Sequence, residues 1–282
     1  MIFEPFGIIH QILILALLLL ITSFWFLKKN LFRKINANKA QINKLITNFG
    51  QNKGQNSIQM DKNTPNSNYS NPAQNLVQFF AFPIVNFIAN LLIFGLFGHC
   101  IFYFGGHILR GSFKLTKYLP LHICNLSVYL LLISLIALKL GKKWARDFGT
   151  LVYYWSLIPA SLAFLFPDLQ SRFIFDFEFA EFFWSHFLII LSCFFLFFFA
   201  NLQTEYNFVF KAIGILAAFG LILIYPLNLI LGSNYMYLNR LTESGPMSFF
   251  PNPPFHLGVF ILLLLLFYSL QFGILKLSQN KK

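Results

Sequence analysis

The fold is decided by the stretch IIHQILILALLLLITSFWFLKK, residues 8–29. Residues 8–27 carry no charged side chain, and a run of about 20 apolar residues is long enough for a helix to cross a bilayer. Trp25 lies near the end of the run and Lys28 and Lys29 follow it, so the positive charge comes after the span. No basic residue precedes the run and no small-x-small site follows it, which indicates a retained helix rather than a cleaved signal peptide.

The composition of the whole chain points the same way. Hydrophobic residues make up 57% of the 282 positions and charged residues only 11%, too few to cover the surface of a soluble globule. Further apolar runs predict membrane-spanning helices at about residues 76–99, 119–140, 149–166, 180–201, 210–231 and 256–275. We therefore predict an all-α fold, a single membrane domain of residues 1–282 formed by a polytopic bundle of seven transmembrane helices.

Residues 28–75 interrupt the apolar pattern with a polar, basic and Asn-rich segment. Its first part, to about Thr47, has the composition of an amphipathic helix at the membrane surface. The rest contains Pro65 and Pro72 and few large apolar residues, which is typical of disorder. We expect a cytoplasmic loop that is partly disordered.

The basic residues predict the orientation of the bundle. With the N-terminus outside, sixteen of the 21 Lys and Arg residues fall on the inner side, as the positive-inside rule requires. The same arrangement puts the C-terminus in the cytoplasm and accounts for the net charge of +12 without a nucleic-acid partner. We expect a multi-pass protein of the cell membrane.

On this topology, polar side chains gather near the outer surface, and charges deep in the bundle are not expected. All six histidines fall there: His10, His99, His107, His122, His186 and His256, with His107 expected in a loop. The same layer contains Cys124, Asn125, Asp168, Tyr225, Asn228, Asn234 and Tyr235. Polar groups brought from several helices to one depth favour a functional site, although His and Tyr also favour the membrane interface as amphipathic side chains.

The stretch LPLHICNL, residues 119–126, contains the most reactive of these side chains, Cys124. Pro120 suits the first turn of a helix, so Cys124 is expected near a helix amino terminus, where free amides and the helix dipole favour a thiolate. His122 is two residues away and points to the opposite side, so a base for Cys124 must come from another helix. His186, at a comparable depth in the fifth span, is the best candidate.

Other residues of the layer have expected supporting roles. Asp168 would orient His186, and Asn125, Asn228 and Asn234 would supply hydrogen bonds to an oxyanion. Each also has a purely structural interpretation, because polar side chains in membrane bundles often form hydrogen bonds between helices. Cys124 itself has one, since a free cysteine commonly serves as a small buried hydrophobe.

Four segments in order along the chain give the sequence its resemblance: LPLHICN at 119–125, FPD at 166–168, WSH at 184–186 and NLILGSNYMYL at 228–238. They resemble the YwaF family of bacterial integral membrane proteins, which is similar in turn to eukaryotic transmembrane protein 164. The match runs from about His10 to the last span, with the polar loop as an insertion.

The resemblance implies a seven-helix membrane acyltransferase that moves a fatty acyl chain onto a lysophospholipid through a cysteine and a histidine on separate helices. These correspond to Cys124 and His186. The expected partners are membrane phospholipid and lysophospholipid, no cofactor is expected, and either a lysolipid hydroxyl or water would discharge the S-acyl intermediate. The expected substrate-binding or supporting residues are His122, Asn125, Asp168, Tyr225, Asn228, Asn234, Tyr235 and His10.

Two other functions use the same polar layer. A metal-dependent intramembrane hydrolase would need three or four His, Cys or carboxylate ligands, but the sequence has no HxxxH or HExxH spacing. A solute transporter or substrate-binding membrane component would use the layer as a ligand site, although no inverted repeat is visible.

Overall fold

The computed structural model describes the backbone of residues 7–52, 82–167, 176–241 and 246–280, and the side chains of all but 35–52, 246, 247 and 280 among these. The described chain is helical and contains no strand. Its long helices are α1 (Ile8–Asn52), α2 (Pro83–Leu109), α3 (Ile123–Lys139), α4 (Ala145–Leu165), α5 (Phe177–Phe199), α6 (Asn207–Leu231) and α7 (His256–Asn280). Within α6, Phe219–Ile224 form a π-helical stretch.

The lengths and composition of the helices confirm the predicted all-helical membrane protein. Six of the helices in the described chain are long and apolar enough to cross a membrane, and α3 is a shorter apolar helix of 17 residues. Many large apolar side chains face outwards, for example Phe94, Ile222 and Ile230. Such a surface is unfavourable in water and favourable against lipid tails.

Helix α5 lies at the centre of the bundle. Of its most apolar window, 72% is buried, against 11% for α7. It packs against α1, α2, α3 and α4, while α6 and α7 pack against α4 and each other. A helix that is hydrophobic all round is suited to this central place, and any polar side chain on α5 is therefore held inside the protein.

Contacts between helix ends show that successive helices run in opposite directions. The start of α1 meets the end of α4 through a hydrogen bond from His10 to the Phe164 carbonyl, and His256 at the start of α7 bonds to the segment after α6. At the opposite end, Lys139 of α3 bonds to Asn90 of α2, and Arg146 of α4 bonds to the Asn201 carbonyl after α5. We call the end of the bundle that contains His10 and His256 the histidine end. Helices α1, α3, α5 and α7 begin at this end, and α2, α4 and α6 finish there.

A close approach fixes α2 against the beginning of α5. A Cβ atom on Gly106 would lie 2.1 Å from the Phe177 ring, so the two helices fit together only with glycine at this position. The guanidinium of Arg110 covers the same ring, 4.4 Å from its centroid. This packing sets the relative positions of the polar side chains that α2 and α5 bring to the site.

Several predicted boundaries were wrong. Helix α2 runs on to Leu109, so His107 lies in its last turn and not in a loop; Gly106 serves close packing there rather than a turn. Helix α3 begins at Ile123, four residues later than predicted, because the preceding chain is held elsewhere: the Leu119 amide donates to the Tyr235 hydroxyl at 3.0 Å. Pro120 therefore precedes the helix.

Helix α1 also continues further than the predicted span. Its backbone remains helical to Asn52, so the first half of the predicted polar loop is an extension of α1. The rest of that loop, from residue 53 to 75, lies outside the described residues, as does Asp168.

Candidate functional site

The six histidines all lie at or near the histidine end. Each helical one is in the half of its helix nearer that end, and His122 immediately precedes α3. The buried ones are His10, His99, His107, His186 and His256; His122 is half-buried. Since imidazole rings buried in a membrane bundle are costly unless they are paired or used, their surroundings separate structural histidines from functional ones.

Cys124 is the second residue of α3. It is a half-buried free thiol in the first helical turn, where backbone N–H groups have no partner within the helix. The position expected from the sequence is thus kept although α3 begins later. The partial positive charge of the helix amino terminus acts in favour of a thiolate at this place, and the enclosure of the sulfur acts against one.

The Cys124 thiol lies close enough to the carboxyl group of Glu181, on α5, for the two to interact electrostatically. Glu181 in turn pairs with His99 of α2, with 3.7 Å between Oε1 and Nε2. The His99 ring also interacts electrostatically with His186, which is on the same helix as Glu181. We call His99, Cys124, Glu181 and His186 the thiol cluster; it joins three helices.

The hydrogen bonds of His186 fix its tautomer. Its Nδ1 lies 2.7 Å from the Phe182 carbonyl oxygen, which also accepts a bond from the Ser185 hydroxyl at 2.9 Å. A carbonyl oxygen only accepts, so Nδ1 carries the ring proton and Nε2 keeps a lone pair. Within the described chain no hydrogen bond engages Nε2, which leaves it free to act as a base.

The structure brings Cys124 and His186 into one cluster without a direct bond. Among the described contacts, no hydrogen bond joins the two side chains, and the connection runs through Glu181 and His99. Catalytic hydrogen bonds are often long in a ligand-free site and shorten when substrate binds.

Asn125, next to Cys124, is held by α2. Its amide donates to the hydroxyl of Tyr103 at 3.1 Å, and that hydroxyl donates to the Tyr118 carbonyl, also at 3.1 Å. Tyr103 also interacts electrostatically with Glu181. Asn125 thus fixes the start of α3 beside the thiol cluster.

A second polar group lies where α6 ends, and we call Asn228, Ser233, Asn234 and Tyr235 the loop cluster. The Asn228 amide donates to the Tyr235 carbonyl at 2.9 Å, and its oxygen accepts from the Ser233 hydroxyl and the Tyr235 amide, both at 2.8 Å. Gly232 ends the helix with a φ of +65°, in the left-handed region that glycine favours. Asn228 is therefore used in holding this loop.

Tyr235 connects the loop cluster to the chain before α3. Its hydroxyl donates to the Leu115 carbonyl at 2.5 Å and accepts from the Leu119 amide at 3.0 Å. Burial raises the pKa of Tyr235, so the hydroxyl remains protonated. Through these two bonds the loop after α6 positions the segment that leads to Cys124.

His122 packs between the rings of Tyr235 and Tyr237, with centroid distances of 5.2 and 5.4 Å. Burial lowers the pKa of His122 to about 4, so its ring is neutral at physiological pH. The structure thus places His122 against the loop cluster. Because His122 precedes α3 with an extended backbone, the helical spacing argued from the sequence does not apply to it.

The other predicted site residues lie outside the thiol cluster. His10 ties α1 to α4 through its 2.8 Å bond to the Phe164 carbonyl. Asn234 accepts from the amides of Asn239 and Arg240 at 3.1 and 3.0 Å, within the loop. Tyr225 is 40% exposed on the surface of α6.

The sequence reasoning missed Glu181 and gave His99 no specific role. Glu181 is half-buried in the second turn of the central helix, and the sequence reasoning did not assign it to the site. A signal was present: Glu181 is an acidic residue inside an apolar span, and such residues usually mark functional sites. It was overlooked because it lies near a predicted helix end.

Metal binding receives no support from the described residues. Within them, no group of three or more His, Cys, Asp or Glu side chains is arranged to hold a metal ion.

Comparison with known proteins gives one match. The model of the TMEM164 family matches residues 5–271, nearly the whole chain. Neither curated proteins nor solved structures provide a significant match. The family predicted from the four sequence segments is confirmed.

Proposed function

Because the chain belongs to the TMEM164 family, we propose that it is a membrane enzyme which transfers or hydrolyses the fatty acyl group of a phospholipid-type ester through an S-acyl intermediate on Cys124. One observation carries the proposal. A free thiol at a helix amino terminus lies in a buried cluster with a histidine whose Nε2 retains a lone pair. These are the two groups that nucleophilic acyl transfer needs.

The reaction proceeds in two halves. In the first, His186 Nε2 takes the Cys124 proton, the sulfur bonds to the ester carbonyl carbon and the C–O bond breaks. The leaving lysolipid oxygen receives the proton from His186, which leaves a thioester and a neutral imidazole. In the second half, a lysolipid hydroxyl, or water, attacks the thioester carbonyl and releases the thiol.

The amide groups at the start of α3 suit the charge that develops in both halves. The tetrahedral intermediate carries a negative oxygen, which free backbone N–H groups in a first helical turn can stabilise. Cys124 lies in that turn, so an oxyanion formed on its acyl group is close to these donors. Asn125 holds the turn in place through Tyr103.

The length of α3 supports a site at the level of lipid esters. Its 17 residues extend about 25 Å, less than the roughly 30 Å of the hydrocarbon core. If its lysine end lies at the inner boundary, Cys124 lies just inside the outer one, close to the ester groups. We propose seven spans with the N-terminus outside and the C-terminus cytoplasmic, in the cell membrane.

The test is to incubate the purified protein in lipid nanodiscs with a phospholipid carrying a labelled acyl chain. We expect a hydroxylamine-sensitive adduct on Cys124, detected by mass spectrometry, that disappears in Cys124→Ala. Cys100→Ala and Cys193→Ala are matched controls that retain the adduct. Absence of any adduct in the wild type, or its persistence in Cys124→Ala, would refute the proposal.

One observation favours a transporter or substrate-binding component as the second candidate. The buried pair of Glu181 and His99 is a type of group that serves proton relays in membrane transporters. That function requires no acyl adduct, so the same labelling experiment distinguishes the two. Proton-coupled uptake into vesicles without adduct formation would favour the transporter.

A further inference from the structure

The pair of His99 and Glu181 is more than the proposed Cys124 and His186 chemistry requires. Both side chains are largely enclosed, with exposed fractions of 3% and 15%. The His99 Nε2 lies 3.7 Å from the carboxyl, and its Nδ1 is buried with no hydrogen-bond partner among the described residues. Two ionisable side chains therefore share a membrane-embedded site in which one ring nitrogen remains unused.

A purely structural ion pair would not explain this arrangement. A buried pair contributes little to stability unless further hydrogen bonds satisfy its remaining polar atoms, and an unpaired buried nitrogen is itself unfavourable. His256 provides a contrast: its Nδ1 is also unpaired, but its Nε2 is fixed by the Tyr237 carbonyl at 3.0 Å. His99 faces a carboxyl instead, the arrangement that orients an imidazole base and stabilises its protonated form.

We propose that Glu181 and His99 form a second acid–base pair, which takes the proton of a hydroxyl acceptor when the S-acyl enzyme is discharged. The inference rests on the proposed function and adds to it the groups that deprotonate the acceptor hydroxyl in the transfer step. His186 acts as the base when the thioester forms, and the pair of Glu181 and His99 acts when the acyl group passes to the acceptor.

The electrostatic interaction between Glu181 and Cys124 indicates which half of the reaction the pair serves. Two negative charges in one apolar site repel each other, so a Glu181 carboxylate and a Cys124 thiolate oppose one another. In the acyl-enzyme the sulfur is part of a neutral thioester, and this repulsion is absent. The carboxylate is therefore most favourable after the thiolate has reacted, when an acceptor must be deprotonated.

In the transfer half, His99 carries the proton of the acceptor hydroxyl to the sulfur. His99 donates from Nε2 towards Glu181, which leaves the lone pair on Nδ1. Nδ1 takes the proton of the acceptor hydroxyl while the acceptor oxygen bonds to the thioester carbonyl carbon. The C–S bond then breaks, and the departing sulfur of Cys124 receives the proton from the His99 imidazolium, which restores the thiol, the neutral His99 ring and the Glu181 carboxylate.

The experiment separates the two halves in the full-length protein in nanodiscs. Labelled phospholipid first loads Cys124, and excess lysophospholipid is then added while the adduct is followed. For Glu181→Gln and His99→Gln we expect loading close to the wild-type rate and a discharge to lysophospholipid about 10² to 10⁴ times slower, the typical contribution of general acid–base catalysis. His256→Gln, which removes a buried histidine outside the cluster, retains both rates.

Hydroxylamine tests whether the defect is in proton removal. Its neutral nitrogen attacks a thioester without prior deprotonation, so we expect it to discharge the Glu181→Gln adduct as fast as the wild-type one. A lost base is thereby distinguished from a distorted site, since distortion slows both acceptors alike. Loading itself reports that the variant is folded, and the two substitutions probe the same pair from different helices.

Three results would overturn the inference. Slowed loading that matches the slowed discharge would assign the pair to the first half of the reaction. If discharge slowed equally with lysophospholipid and with hydroxylamine, the pair would have a structural role. If discharge to lysophospholipid were unchanged, the pair would have no role in transfer. Absence of loading in the wild type is a separate result that removes the proposed function itself.

Discussion

The thiol cluster and the loop cluster lie at the same end of one bundle, yet they differ in how their polar atoms are satisfied. In the loop cluster the Asn228 side chain makes three hydrogen bonds and the Tyr235 hydroxyl makes two. In the thiol cluster, His99 Nδ1 and His186 Nε2 have no hydrogen-bond partner among the described residues. These polar atoms of the loop cluster all have hydrogen-bond partners, whereas the two ring nitrogens of the thiol cluster do not.

This difference distinguishes side chains that hold the fold together from side chains that are available for catalysis. A fully satisfied buried network makes a segment rigid, and an unsatisfied buried group costs about 1 to 3 kcal/mol unless something else uses it. The loop cluster therefore holds the chain before α3 in place. The thiol cluster keeps lone pairs that substrate atoms can engage. Each cluster should respond to substitution accordingly.

The largest effect is expected at His186. We predict that His186→Gln slows formation of the Cys124 adduct about 10² to 10⁴ times, because the amide side chain cannot take the thiol proton. Thermal denaturation in detergent should change little, since the substitution affects only the local contacts of Nδ1 with the Phe182 carbonyl and the Ser185 hydroxyl. Ser185→Ala, which removes the neighbouring hydroxyl but keeps the base, is the matched control. If folded His186→Gln formed the adduct at the wild-type rate, His186 would not be the base.

Asn228 should show the opposite response. Asn228→Ala leaves the Tyr235 amide, the Tyr235 carbonyl and the Ser233 hydroxyl without their partners. We expect a loss of about 3 kcal/mol or more in the free energy of unfolding, because three buried groups lose their partners and each costs about 1 to 3 kcal/mol.

The measurement is the thermal midpoint in detergent, with Asn234→Ala, at a half-buried position of the same loop, as the comparison. If Asn228→Ala were fully stable but unable to form the adduct, Asn228 would belong to the chemistry, as an oxyanion donor, and the contrast between the clusters would fail.

A smaller effect is expected at Tyr235. Tyr235→Phe keeps the buried ring and removes only the hydroxyl that joins the Leu115 carbonyl to the Leu119 amide. We expect a loss of about 1 to 3 kcal/mol, the cost of leaving buried polar groups unpaired. Hydrogen exchange at the Leu119 amide should become faster, while α3 itself stays protected. Unchanged exchange there would show that the hydroxyl does not hold this segment.

The sequence predicted the fold well because a single property decides it. Apolar runs long enough to cross a bilayer are helical wherever they occur, since lipid cannot satisfy backbone polar groups. Boundaries were predicted less well where tertiary contacts override local signals. The start of α3 is preceded by a segment that Tyr235 holds, more than 100 residues away along the chain. The last turn of α2 includes Gly106, which packs against Phe177 of another helix.

The candidate site was predictable in part. Cys124 and His186 were identified because their residue types are rare in apolar spans and because the family resemblance selects them. Their connection through Glu181 and His99 was not, because it depends on how α2 rotates against α5, and helical periodicity in one chain segment does not determine rotation relative to another. The three hydrogen bonds of the Asn228 side chain were likewise not predictable, because they join it to residues later in the chain.

The smallest expected effect is a pH dependence at His122, which stands at the edge of the loop cluster between Tyr235 and Tyr237. Its pKa in the folded protein is about 4, below the ordinary value near 6.5, because the ring is buried. Between these values the unfolded chain binds a proton at this position and the folded one does not. The stabilising contribution is therefore present above pH 6.5 and is lost as the pH falls towards 4.

His122→Phe keeps a ring between the two tyrosines and cannot bind a proton. We expect the thermal midpoint of the wild type to fall by a few degrees more than that of His122→Phe when the pH is lowered from 7 to 4, with the other histidines contributing equally to both. Parallel curves would mean that His122 does not titrate differently on folding. A steeper fall in His122→Phe would reverse the sign and require a protonated ring in the native loop, which burial opposes.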